Sequence, residues 1–99
     1  MSLTERQKKH LRRLAHPLSA VVMVGAGGAS DAVAAELDRA LETHELVKVS
    51  ARIGDRTRRD EALGSLAART ASELVQRIGN VGVFYRRRKE LPKIVVPDE

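Results

Sequence analysis

The sequence predicts an α/β fold of the two-layer α+β type, a mixed four-stranded sheet with helices packed on it. Three observations predict it. Amphipathic helical stretches alternate with short apolar or alternating runs, which implies one sheet with packed helices. The last two strand-like runs, 74–78 and 81–86, are joined by Gly79-Asn80 alone, a hairpin link that ends the sheet in an antiparallel pair. The chain has 99 residues, enough for one domain with one modest core.

The elements follow in order. Ser2-Leu3-Thr4-Glu5 and Thr4-Glu5-Arg6-Gln7 both read as capping boxes, so a helix should run from there to about Ala15. Leu3, Gln7, Leu11, Leu14 and Leu18 share one side of it, and Lys8, Lys9, Arg12 and Arg13 cover the opposite arc. His16-Pro17 ends the helix, because the residue before proline avoids helical dihedrals. Val21–Val24 reads as a buried strand and Gly25-Ala26-Gly27-Gly28 as the loop after it. Ser30 caps a second helix whose stripe is Val33, Leu37, Ala40, Leu41 and His44, with Glu36, Asp38, Glu42 and Glu45 turned away. Leu46 to Ile53 alternates, with Val47, Val49, Ala51 and Ile53 on one face and Lys48, Ser50 and Arg52 on the other. Thr57 is a cap for a third helix to about Thr70, with Ala62, Leu63, Leu66 and Ala67 inward. After the hairpin, Lys93–Val96 reads as a short extended piece. The order is α-β-α-β-α-β-β.

Charge narrows the function classes. Eighteen Lys and Arg face thirteen Asp and Glu, a net charge of +5 and a pI near 10.2. The surplus favours polyanions, either nucleic acid or an anionic membrane surface, although many small basic domains bind nothing acidic. The charge is segregated: residues 1–16 carry five basic and one acidic residue, 17–47 one basic and five acidic, and the remainder twelve basic and seven acidic. Charge needed only for solubility has little reason to segregate. Cysteine is absent, which removes disulfides, thiol catalysis and Cys-based metal sites and fits a reducing cytosol. The first residues are charged with no apolar run behind them, unlike a secretory signal, and no apolar stretch is long enough to span a bilayer. A cytoplasmic monomer is expected.

The motifs point the same way. Gly25-Ala26-Gly27-Gly28 lies between an apolar strand and a capped helix, where a glycine-rich backbone can approach a phosphate. A Gly-x-x-Gly loop clamps nucleic-acid backbone in KH domains, yet a bare one is more often a plain tight turn, and Asp31 in the first helical turn opposes an anion. The loop lacks the third glycine of a dinucleotide fingerprint and the Gly-Lys-Ser/Thr of a P-loop. Arg86-Arg87-Arg88-Lys89 are four adjacent cations that repel one another unless an anion is near. Phe84 and Tyr85 are the only aromatic residues, and adjacency on a strand leaves at most one free to stack on a base. His10, His16 and His44 have no metal-ligand spacing, and no nucleophile–base constellation stands out. No enzyme activity, cofactor, metal or small-molecule substrate is expected. An acidic second helix that docks a basic protein partner, and a general nucleic-acid binder, remain alternatives.

Leu14-Ala15-His16-Pro17-Leu18, Val21-Val22-Met23-Val24-Gly25 with its glycines, Leu41 to Val49, and Ile78-Gly79-Asn80 leading to Phe84-Tyr85-Arg86 together resemble the CRM domain, for chloroplast RNA splicing and ribosome maturation, in its stand-alone bacterial YhbY-like form. The resemblance runs from about Leu3 to about Pro97. It implies a fold similar to the C-terminal domain of translation initiation factor three. It also implies RNA binding through the loop Gly25 to Gly28 and neighbouring basic surface, and association with precursors of the large ribosomal subunit. On that basis Gly25, Ala26, Gly27 and Gly28, with Lys8, Lys9, Arg12, Arg13, Lys48, Arg86, Arg87 and Arg88, are the expected RNA-binding residues. The loop departs from many members in having glycine where a polar residue such as Asn precedes the last glycine.

Overall fold

The computed structural model describes residues 3–97. It contains α1 (Glu5–Ala15), β1 (Ala20–Val24), α2 (Asp31–His44), β2 (Leu46–Ala51), α3 (Arg56–Arg69), β3 (Glu73–Ile78) and β4 (Val81–Tyr85). This is the predicted element order. The four strands form one sheet in the order β1-β2-β4-β3, with β1 and β2 parallel and the other two pairs antiparallel. The sheet is therefore mixed, as expected, and the helices divide over both of its faces.

On one face, α2 and α3 bury Leu37, Leu41, Leu63 and Leu66 against Val22, Val24, Val47, Val49 and Phe84. The alternation of β2 sends Val47, Val49 and Ala51 into this core, as its period-2 pattern predicts. Helix α3 packs tightly over Gly82: a Cβ there would lie 3.2 Å from a Leu63 methyl and 3.1 Å from the Phe84 ring. On the other face, α1 buries Leu11 and Ala15 against Leu46, Val75, Val83 and Tyr85.

Helix α1 covers only part of its face. The strand register defines two cross-strand rows there. Lys48, Val83 and Gln76 form one, at the margin of α1. Met23, Ser50, Val81 and Ile78 form the next, and none of these four is buried. This row, at the glycine-loop end, is the open part of the face.

Several local expectations are corrected. The capping box is the Thr4–Gln7 one: the Thr4 hydroxyl accepts from Gln7 N–H and the Gln7 side chain accepts from Thr4 N–H; Ser2 lies outside the described residues. Leu14 and Leu18 are 40% and 41% exposed, because the buried stripe of α1 runs through Leu11 and Ala15 instead. His44 is exposed, as it sits in the last turn of α2 beyond the edge of the core. Helix α3 starts earlier than expected: Asp55, not Thr57, is the N-cap, and its carboxylate accepts from Arg58 N–H. Residues 93–96 pair with no strand.

The largest departure is Glu45. Expected on the solvent side of α2, it is fully buried. It follows α2 with φ +64°, in the left-handed region, which ends the helix and turns the side chain inward. Its carboxylate accepts from the backbone N–H groups of Arg88, Lys93 and Ile94, at 2.8, 2.5 and 2.8 Å. Its carbonyl accepts from Arg86 N–H. One carboxylate thus ties the segment after β4 across the α1 face, where Ile94 and Val96 pack beside Leu3. Gln7 completes the tie by donating to Pro97 O at 2.7 Å.

Candidate nucleic-acid interface

The glycine loop begins as a tight turn in which Gly28 N–H donates to Gly25 O at 2.9 Å. Gly28 has φ +72°, a conformation that glycine adopts at no steric cost. Ser30 then caps α2, its hydroxyl accepting from Val33 N–H. Among the described residues, the N–H groups of Ala26, Gly27 and Ala29 donate to no protein group. No neighbour lies within 4 Å of where a Cβ would stand on Gly25, Gly27 or Gly28, so the loop is open on its outer side. These are the free donors and the open approach that a phosphate requires.

The loop is held from behind by α3. Arg58 donates to Ala26 O at 3.3 Å and Arg69 to Ala29 O at 2.5 Å. Arg69 also forms an ion pair with Asp31. The pairing places a cation beside the carboxylate at this helix start and offsets part of its charge.

Strand directions decide what lies beside the loop. Strands β1 and β2 run parallel and β4 runs against them, so three connections meet at one end of the sheet. These are the glycine loop, the β2–α3 loop and the Gly79-Asn80 turn. Arg52 N–H donates to Val24 O and Ala51 N–H to Asn80 O, both at 2.7 Å, which locks the three together. Exposed Arg52, Arg56 and Arg58 and half-buried Arg59 stand here. Sequence reasoning missed Arg56, Arg58 and Arg59. The available signal was three arginines in four residues immediately after a glycine-containing turn.

The other expected site residues are split. Lys8, Lys9, Arg12 and Arg13 lie on α1, over the partly open sheet face, with Lys9 and Arg13 exposed. Glu5 stands 3.8 Å from both Lys8 and Arg12, a loose surface pairing of little strength. Lys48 lies on the same face, but its ammonium donates to His16 O and Leu18 O at 3.3 and 3.0 Å, so it also anchors the α1–β1 connection. Arg86, Arg87 and Arg88 fall at the opposite end of the sheet from the glycine loop, where β4 ends.

Arg86 is engaged inside the protein. Its guanidinium donates to Asp38 Oδ1 at 2.7 Å, Glu42 Oε2 at 3.2 Å, Thr70 O at 2.8 Å and Asp38 O at 3.1 Å. The anion that four adjacent cations need is, for Arg86, supplied by the acidic face of α2. Arg87 and Lys89 remain exposed beside it. Both aromatic rings are buried, Phe84 under α2 and α3 and Tyr85 under α1, because β4 is covered on both faces at this end. Neither offers a stacking surface.

Among the described residues there is no cluster of three potential metal ligands, and no helix is long and apolar enough to cross a membrane.

Known proteins are similar to this chain in sequence and fold. The chain is 41% identical over 87 residues to a Pseudomonas aeruginosa protein named "Probable RNA-binding protein", covering 88% of this chain and 84% of that one. It is 38% identical to a Haemophilus influenzae protein named "RNA-binding protein", covering 97% and 96% of the two chains. The solution structure of a hypothetical protein from Staphylococcus aureus superposes with a TM-score of 0.84 at 38% identity, covering 97% of this chain and 100% of that one. The sequence pattern of the CRS1/YhbY (CRM) domain matches residues 3–86. With that match over most of its length, and relatives of this similarity, the chain belongs to the CRS1/YhbY (CRM) domain family.

Proposed function

We propose that this protein binds RNA at the end of the sheet that carries the glycine loop, and that the RNA is ribosomal, in precursors of the large subunit. The observation that carries the reading is the convergence of free loop amides and a cluster of arginines at one end of the sheet. Open N–H groups at the start of α2 suit a phosphate. Arg52, Arg56 and Arg58, with Lys9 and Arg13 on α1, supply the positive field that makes binding to a polyanion favourable and salt-dependent. Family membership and the names of the relatives support RNA as the polyanion. With both aromatic rings buried, recognition leans on phosphates and on RNA shape. The protein acts as a monomeric cytoplasmic assembly factor that binds and positions RNA, with no chemical step of its own.

Sedimentation of a cell lysate through a sucrose gradient tests this. The protein should travel with large-subunit precursors at low salt and leave them when salt is raised. If it stays among free proteins at low salt, the ribosomal role fails. If its complexes survive nuclease treatment intact, it is a protein adaptor instead.

A further inference from the structure

The open part of the α1-side sheet face holds a recess of about 300 Å³, lined by Arg12, His16, Lys48, Gln76, Ile78, Val81 and Val83. Its floor is apolar and belongs to three residues of the β3–β4 hairpin. Ile78 is 65% exposed, an unusual setting for isoleucine on a strand already flanked by a helix. Its walls are polar. Arg12 and His16 come from α1 and its C-cap, Lys48 from β2 and Gln76 from β3. Among the side-chain hydrogen bonds of the described residues, none engages the His16 ring or the Gln76 amide. The Lys48 ammonium spends two donors on backbone carbonyls and keeps a third.

We propose that this recess seats one unstacked RNA nucleotide, an inference that rests on the RNA-binding reading above. The size is at the lower end for a ligand site, which fits one nucleotide and not a folded element. A splayed-out base needs a flat apolar surface, a planar group to stack on and edge groups to pair with. Ile78 and half-buried Val81 give the surface, with Val83 buried at its base. The Arg12 guanidinium and the His16 ring give the planes, in a protein whose two aromatic rings are both buried. The Gln76 amide donates and accepts, so it reads a base edge. Lys48 meets the phosphate. The neighbouring row Met23, Ser50, Val81 and Ile78 crosses the sheet from β1, two residues before the glycine loop, to the recess, so one strand can hold a phosphate at the loop and a base in the recess.

The consequence is a preference for single-stranded over duplex RNA, which aromatic content alone argues against. Fluorescence anisotropy with labelled oligouridylate and oligoadenylate, and with a perfect RNA duplex of equal length, reads it. The unmodified protein should favour the single strands. His16→Ala combined with Gln76→Ala should weaken single-strand binding about five- to tenfold. Duplex affinity and the salt dependence should stay as they were, because no phosphate-binding cation is removed. Ile78→Ser, at an exposed position that leaves the core intact, should act in the same direction. The methyl resonances of Ile78, Val81 and Val83 should shift with single strands and not with duplex. If the protein binds RNA but these variants keep full single-strand affinity, or lose both forms equally, the recess does not hold a base. If it binds neither form, the RNA-binding reading falls, and the recess proposal with it.

Discussion

Glu45 shows what one residue settles. A buried carboxylate that accepts three backbone N–H groups stabilises only while all three bonds persist, since each donor is otherwise stranded away from water. Replacing Glu45 with Gln removes the charge and leaves a single acceptor oxygen. Urea unfolding should show a loss of about 2–4 kcal/mol; a loss under about 0.5 kcal/mol would mean that Glu45 does not hold the segment after β4. The same carboxylate acts on Tyr85. Burial, and then the Glu45 charge, push the Tyr85 phenol above its usual 10.0, with Arg87 opposing. A raised value means that the folded state keeps the proton longer than the unfolded chain. The stability linked to this group is full below pH 10.0 and declines as pH rises through the folded value. Tyr85→Phe should flatten that part of the decline in urea midpoint above about pH 10, and an unchanged decline would place its cause elsewhere. Neither role was legible in the sequence. A glutamate at a helix end reads as solvent-facing by periodicity, and only a left-handed backbone turn after α2 reverses it. Arg86 misled for a related reason: its place in a cationic run hid partners 44 and 48 residues away.

At the scale of elements, patterning served well where burial is regular and less well at the ends. The period-2 alternation of β2 and the leucine spacing of α2 located the main core, because a face against a core admits few polar residues. The cap of α3 slipped by two residues because Asp55 and Thr57 are both good caps, and only packing after the Arg52–Gly54 turn chooses between them. The buried stripe of α1 is narrower than its leucine spacing implies: this helix covers part of a sheet face and leaves Leu14 exposed. The glycine loop was legible as a loop. What the structure adds is that its last two glycines differ. Gly27 has open space and an ordinary φ, while Gly28 sits at φ +72°. Gly27→Val should leave thermal stability nearly unchanged and weaken RNA binding by obstructing the loop amides. Gly28→Val should cost about 1–2 kcal/mol in stability as well. Equal RNA affinity for Gly27→Val and the parent would remove the loop from the interface.

For the whole molecule, the sequence disclosed the segregation of charge and the order of elements, but not where the charges come to rest. Two basic clusters of similar appearance end at opposite ends of the sheet, since β4 runs against β1 and β2. One of them, at Arg86, is partly neutralised by the acidic α2. The other gathers Arg52 from the β2–α3 loop and Arg56, Arg58 and Arg59 from the start of α3, and only the fold brings them beside the glycine loop. Long-range placement of this kind depends on strand direction and packing, which short-range spacing does not encode. The central claim is that RNA is held at the glycine-loop end. It is tested most directly by the salt dependence of affinity for a short single-stranded RNA. Arg52→Gln with Arg56→Gln should reduce the slope of log affinity against log salt by about 0.7 for each phosphate no longer neutralised, while Arg87→Gln with Lys89→Gln leaves it nearly unchanged. The reverse pattern, with the slope falling only for the pair beyond β4, would contradict the account and move the interface to the other end of the sheet.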